Sequence, residues 1–217
     1  MIMELFKHTL FINLASRPDR LEHVTLELKK MNIEAERINA IKMAEGAIGC
    51  TLSHIRCLEL AKERQYPHVF ILEDDITFLQ PELLSENLKK FEENVELQRW
   101  DVLIIGGNNC PPYTKVNDYC IRAFNNQTTT GYIVKSHYYD TLIQNFKESA
   151  QMLMRNPHNK REYALDMYWK RLQQNGLWYM IVPPTVTQYQ DYSDIEKRIV
   201  NYDRLMLDIQ KDWLFRK

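Results

Sequence analysis

Residues 68–78 read HVFILEDDITF, so the apolar run Val69 to Leu72 passes directly into three carboxylates, Glu73, Asp74 and Asp75. Such a run suits a strand covered on both faces, and ligands in open α/β sheets collect beyond the carboxyl ends of such strands. Three adjacent anions repel one another. A hard divalent cation relieves that repulsion, because Mg²⁺ or Mn²⁺ takes oxygen ligands and commonly combines one or two carboxylates with substrate phosphates. With period-two geometry Glu73 and Asp75 share a face and Asp74 points elsewhere. The run therefore predicts a metal and diphosphate site, against the plainer reading of a solvated acidic turn.

The elements that must position these acids alternate. Residues 9–14 read as a strand, and Ser16 with Asp19 has the form of a capping box before a helix repeating Leu21, Val24, Leu28 and Met31. Asn32 stops that helix, and Ala35 to Ile41 is a second short strand. Gly46 and Gly49 open another helix, running to about Ala61, which feeds the acidic strand. A helix over Pro81 to Phe91 precedes the buried strand Val102 to Gly107. Residues 120–124 and 128–135 form a strand pair, after which Ser136 caps a helix. Leu165, Tyr168, Trp169 and Leu172 repeat at helical spacing before Gly176, and Trp178 to Val182 returns as a strand ended by Pro183 and Pro184. Ser193 with Glu196 is a second capping box, and Leu205 to Phe215 reads as an amphipathic closing helix. Strands alternating with helices predict an α/β domain with a mostly parallel central sheet.

The 217 residues suffice for one full core, so residues 1–217 are read as a single domain. A formal net charge of -1 argues against polyanion binding, so nucleic acid is not expected as a partner. The short apolar stretch around Leu10 to Leu14 is interrupted by Asn13, too short to span a bilayer and without a cleavage pattern; a soluble, cytoplasmic protein is expected. Cys50, Cys57, Cys110 and Cys120 show neither CxxC spacing nor a paired-histidine pattern, so metal binding through sulfur is not expected. Cys50 and Cys57 read as small buried hydrophobes, and Cys110 and Cys120, which bracket a loop, as free thiols, against a disulfide between the two.

In order along the chain stand FINLASRPDR at 11–20, EGAIGCTLSHIRCLEL at 45–60, VFILEDDITF at 69–78, TGYIVK at 130–135, ALDMYW at 164–169, and VPPTVTQ with SDI between 182 and 195. With these motifs the sequence resembles glycosyltransferase family 25, which includes lipopolysaccharide and collagen hydroxylysine galactosyltransferases. The resemblance implies a GT-A-type fold, a UDP-hexose donor, a divalent metal (Mn²⁺ by preference) and inversion at the anomeric carbon. It also implies a glycan or collagen-like protein as acceptor. The chain is short beside the family, resembling a bare catalytic domain.

On that resemblance Glu73-Asp74-Asp75 matches the acidic D-x-D-type motif, with Asp75 as metal ligand, Glu73 as metal ligand or ribose contact, and Asp74 supporting the site or the sugar. Asn13, Leu14, Arg17 and Arg20 fall where GT-A folds seat the uridine, and an arginine there clamps phosphate or packs on the base. Arg20 reads equally well as an exposed helical cation, and Asp19 as a cap. Ser53 and His54 are placed beside the donor, with a satisfied buried histidine as the plain alternative for His54. Gly106, Gly107 and Asn108 line the donor sugar, and Gln188 completes the metal or sugar shell. Gly46 and Gly49 serve either packing or ligand approach. Inversion needs a base beside the acceptor hydroxyl. Asp166, at a matching acidic position, is the choice, against an ion pair with Lys170; Glu162 and Asp194 are the reserves.

The basic run Arg155, His158, Lys160 and Arg161 reads as a loop near the acceptor or a solvated face. Two rival functions stand beside sugar transfer. Glu73-x-Asp75-x-Thr77 echoes the strand end of haloacid-dehalogenase-type phosphatases, although glutamate replaces the nucleophilic aspartate and the motif is not on the opening strand. A non-catalytic domain binding a nucleotide sugar or glycan is the other.

Overall fold

The computed structural model describes residues 3–214. The strands are β1 (Thr9–Asn13), β2 (Glu36–Asn39), β3 (His68–Glu73), β4 (Ile76–Phe78), β5 (Val102–Asn109), β6 (Tyr113–Lys115), β7 (Cys120–Ala123), β8 (Asn126–Lys135), β9 (Trp178–Ile181), β10 (Val186–Gln188), β11 (Asp191–Ser193) and β12 (Arg198–Val200). The helices are α1 (Pro18–Lys30), α2 (Gly46–Glu63), α3 (Pro81–Glu93), α4 (Tyr139–Arg155), α5 (Lys160–Tyr163), α6 (Leu165–Tyr168), α7 (Lys170–Gln173) and α8 (Asp203–Leu207).

Eight strands form one sheet in the order β2-β1-β3-β8-β5-β9-β7-β6. β1, β2, β3, β5, β6 and β9 run one way, and β8 and β7 are reversed between them. The unbroken apolar runs are explained by cover on both faces. Leu10, Val69, Ile71, Val102 and Ile104 face a core built with α2 and α4, while Phe11, Phe70, Leu72, Leu103 and Ile105 face the core that α1 and α3 close. This is the α/β, GT-A-type layering expected, with the acidic strand in the middle of the sheet. Two small antiparallel ladders, β4 with β10 and β11 with β12, lie beside the carboxyl end of β3. Among the described residues no helix is long and apolar enough to cross a membrane.

Several local expectations are corrected. Helix α1 starts with Pro18 in its first turn and Arg17 at the N-cap, and the expected Ser16–Asp19 box is not formed; the Asp19 carboxylate accepts from the Arg17 guanidinium instead. Ser136 opens a short 3₁₀ turn and does not cap α4, whose N-cap is Tyr138. Ser193 Oγ does accept from Glu196 N at 3.1 Å, but the bond closes the β11–β12 hairpin, and no apolar helical run follows it.

The helical spacing around Leu165 to Leu172 is cut into two short turns, α6 and α7, with α5 a separate turn before them. Tertiary bonds override it: Ala164 turns extended, Trp169 Nε1 donates to Asn126 O at 2.9 Å, and the Gln173 amide pairs with both backbone groups of Asn126. The closing helix stops at Leu207 because Asp208 takes the N–H groups of Gln210 and Lys211, each at 3.0 Å, in an Asx-type turn. Its expected end at Phe215 lies outside the described residues.

A side chain at Gly49 would place Cβ 2.3 Å from Ile41 O, in the loop that Ser53 Oγ also fixes by accepting from Ile41 N at 2.8 Å. Backbone cannot yield there as a flexible side chain would. Gly49→Ala is expected to destabilise the protein by roughly 1–3 kcal/mol, read as a fall in Tm of about 2–10 °C by calorimetry. An unchanged Tm would remove packing as the reason for the glycine.

Candidate active site

Strand β3 ends at Glu73, and Asp74 and Asp75 form the tight turn into β4. The expected period-two alternation therefore stops at the first acid. Asp74 and Asp75 converge and Glu73 faces another way: Arg20 Nη1 lies 3.2 Å from Asp74 Oδ1 and 3.1 Å from Asp75 Oδ2. Glu73 Oε1 instead accepts from Thr129 Oγ1 on β8 and lies 3.3 Å from His54 Nε2.

Each neighbouring element sends one partner to this tip. From β1, Asn13 Nδ2 donates to Asp74 Oδ2 at 2.7 Å and to Arg17 O at 3.1 Å, while Asn13 Oδ1 is buried without a partner among the described residues. From β10, whose register sets Gln188 opposite Ile76, Gln188 Nε2 donates to Asp75 Oδ1 at 3.3 Å and Tyr189 N to Asp75 O at 2.6 Å. From α2, His54 is fully buried and its Nδ1 lies 2.8 Å from the Tyr132 hydroxyl.

Arg17 and Arg20 are both largely buried and both held by the β11–β12 hairpin. Arg17 bonds Asp194 Oδ2 at 2.9 Å, Asp191 and Tyr192 O, and Arg20 Nε lies 3.3 Å from Asp191 Oδ2. Arg20 is thus not the exposed helical cation of the plain reading. Asp194, a reserve base, is one of these ion-pair partners. Leu14 is half-buried at the turn that leads into α1, where Arg17 N donates to its carbonyl.

Asp166 stands at the start of α6, where its Oδ2 accepts from Thr128 N at 3.0 Å. Register shifts opposite Gly106 bulge the β5–β8 pair, and Thr128 takes φ 75°, a conformation costly for a β-branched residue. The ion pair with Lys170, the plain alternative for Asp166, is not formed: Lys170 Nζ donates to Gln127 Oε1 at 2.7 Å. Glu162 is exposed on α5 and accepts from Asn159.

The remaining candidates have packing or bonding explanations. Ser53 Oγ donates to Gly49 O at 2.7 Å as well as accepting from Ile41 N. Cβ atoms on Gly106 and Gly107 would come within 2.6 Å of Val186 and 2.7 Å of Asn126, and one on Gly46 would come within 3.1 Å of Ile195. Asn108 is buried and accepts from the Cys110 thiol at 3.8 Å. Sequence reasoning missed Thr129, Tyr132, Asp191 and Cys50. Only Cys50 left a signal, four residues before His54 on one helix.

Burial, then the charge of Glu73, pushes the Asp75 carboxyl up to about 8, with Arg20 offsetting only part. Burial also favours protonation of Glu73, but the His54 and Thr129 hydrogen bonds outweigh it and hold the group below its ordinary value. Asp166 is raised by burial, opposed by the Thr128 N–H, with the charge of Glu73 adding to the rise. Shallow clefts lined by Glu34 and Lys7 lie at the other end of β1, away from these groups.

Residues 42–169, more than half of the chain, match the profile described as Glycosyltransferase family 25 (LPS biosynthesis protein). The chain belongs to glycosyltransferase family 25. The matched stretch holds Glu73, Asp74, Asp75, His54 and Asp166, but not the arginines or the hairpin acids. A putative glycosyltransferase of Haemophilus influenzae is 32% identical over 40% of this family 25 chain and 36% of its own length. The human inactive glycosyltransferase 25 family member 3 is 25% identical over 49% of this chain and 23% of its own. The chain therefore spans well under half the length of these relatives. The crystal structure of a glycosyltransferase involved in glycosylation of the major capsid of PBCV-1 aligns at TM-score 0.45 and 9% identity, over 81% of this chain and 91% of that one.

Asp75 has a folded-state pKa above its ordinary 3.8, so its contribution to stability is full below about pH 4 and is lost as pH rises through about 8. Without added metal, Tm is expected to fall over that window. Asp75→Asn removes the charge and flattens the slope, raising Tm at pH 8 by about 2–5 °C. Thermal melts across pH 4–9 decide it, and a variant with the slope of the unaltered protein refutes the assignment to Asp75.

Proposed function

We propose that this chain is a metal-dependent inverting glycosyltransferase that moves a hexose, galactose or glucose, from a UDP-sugar to an acceptor hydroxyl. The acceptor class is a glycan or the hydroxylysine of a collagen-like protein. What carries the reading is the gathering of Glu73, Asp74 and Asp75 at the carboxyl end of the central strand in a family 25 chain.

The residues present fit a hard divalent cation, Mn²⁺ by preference. The converging Asp74 and Asp75 oxygens already share one guanidinium nitrogen, and the unpartnered Asn13 Oδ1 lies on the residue that bonds Asp74. Asp75 and Asp74 would hold it, with Gln188 beside them, whereas Glu73, expected from the sequence as a second ligand, faces Thr129 and His54. When bound, such a cation withdraws negative charge from the departing diphosphate.

Arg17 and Arg20 are the cations nearest that edge, and their bidentate geometry suits phosphate once their hairpin carboxylates give way. Asp166 removes the acceptor proton. Its raised pKa brings a carboxylate closer to the strength that general-base catalysis at neutral pH needs. The Thr128 N–H fixes its orientation, which matters because in-line attack tolerates little displacement.

A second reading, nucleotide-sugar binding without turnover, draws on the human relative named inactive and on Arg20 filling the acidic turn. Acceptor-dependent release of UDP separates the two. Screening UDP-galactose and UDP-glucose with Mn²⁺ against oligosaccharides and collagen-like peptides is expected to give one productive pair, and no release with any of them would favour binding alone.

Asp75→Ala is expected to abolish metal-dependent turnover and weaken UDP-hexose binding. Asp166→Asn keeps an oxygen for the Thr128 N–H, so donor binding measured by calorimetry stays unchanged while kcat falls by about 10²–10⁴. Full transfer by Asp166→Asn would reassign the base.

A further inference from the structure

Cys50 and His54 stand one turn apart on α2, and Glu73 faces them from the end of β3. The three donor atoms all lie within 4.8 Å of one another. His54 Nε2 and Glu73 Oε1 are 3.3 Å apart, close to the roughly 3.4 Å that separates two ligands each about 2.1 Å from a tetrahedral zinc ion. We propose that Cys50, His54 and Glu73 form a site for a borderline-soft divalent cation, Zn²⁺ foremost, separate from the oxygen-lined turn at Asp74 and Asp75.

The donor chemistry separates the two sites. Sulfur and imidazole select zinc-like ions, whereas carboxylate and amide oxygens select magnesium or manganese. One thiolate, one neutral imidazole and one carboxylate balance the charge of a divalent ion, and three protein ligands leave a fourth position open for water or a substrate atom. Burial foremost, and then the carboxylates of Glu73, Asp166, Asp75 and Asp74, push the Cys50 thiol well up, so the thiolate forms only with the cation in place, and the same carboxylates give a field that attracts that cation.

The outer contacts are those a metal-binding histidine needs. The Tyr132 hydroxyl, fully buried, meets His54 Nδ1 at 2.8 Å, and such a partner fixes the ring and its tautomer. In the metal-bound form the neutral imidazole ligates through Nε2 and keeps its one proton on Nδ1, which donates to the Tyr132 oxygen, and the Cys50 thiol has released its proton to solvent. Glu73 is already anionic and is steadied by Thr129. His54 is sealed, but Cys50 and Glu73 are half-buried, and the ion enters from their side.

The expectation that sulfur takes no part in metal binding rested on the absence of CxxC and paired-histidine patterns. It does not cover a Cys-x₃-His turn of helix completed by a strand end 19 residues beyond the histidine. The site stands whether or not the chain transfers sugar.

Titration of the purified, reduced chain with Co²⁺ tests it. Expected is a thiolate-to-cobalt charge-transfer band that saturates at one equivalent, disappears in Cys50→Ser and persists in Cys110→Ser and Asp75→Asn. Tyr132→Phe keeps the band and weakens Zn²⁺ affinity by about 10–100-fold. X-ray absorption of the zinc-loaded unaltered protein needs no variant and should show one sulfur at about 2.3 Å with lighter ligands near 2.0–2.1 Å. Cobalt bound without the band, a band surviving in Cys50→Ser, or a zinc shell without sulfur overturns the proposal. None of these results depends on turnover, so failure of the transfer reading stays distinguishable.

Discussion

The crowding of negative charge at the end of β3 is the constraint around which the rest is built. Two unit charges 4 Å apart interact by about 4 kcal/mol where the effective dielectric constant is near 20, and a domain has only about 5–15 kcal/mol of net stability. The tip is tolerated because five elements each deliver a compensating group: Asn13 from β1, Arg20 from α1, His54 from α2, Thr129 from β8 and Gln188 from β10. The sheet order makes this possible. Lying between β1 and β8, β3 has donors on either flank and a helix on each face.

Much of this was legible from residue order. Apolar runs without alternation marked the central strands, since both faces are covered, and the abrupt change at Glu73 marked the functional edge. What failed were rules applied one residue too far. Period-two alternation misassigned Asp74 because the strand stops at Glu73 and the chain turns. Capping signatures at Ser16 and Ser193 gave no helix start because a proline set one boundary and a hairpin used the other. Arg17 was read as a donor ligand and Arg20 left open as an exposed cation, because their hairpin carboxylates, Asp191 and Asp194, lie more than 170 residues away in sequence. The pairing of Cys50 with Glu73 was hidden for the same reason: only the packing of α2 against β3 brings them together.

Asp166, the proposed base, also has a structural duty. Its carboxylate holds the N–H of Thr128, whose left-handed backbone is the kind of local strain that costs on the order of 1–3 kcal/mol and needs its surroundings to keep it. The adjoining Thr129 orients Glu73. A two-residue bulge of β8 thus ties the helix-borne acid to the strand-borne one, and a departure from regular pairing at such a place is more often function than defect.

Arg20 joins the acidic turn to the hairpin by one side chain, since its guanidinium bonds Asp74 and Asp75 on one side and Asp191 with Tyr192 on the other. Occupancy of the turn and closure of the hairpin are therefore not independent variables. Linkage requires that any factor by which a docked hairpin alters the affinity of the turn is the factor by which a filled turn alters docking. The rim of the site is in this sense a balance, with a single arginine as its pivot.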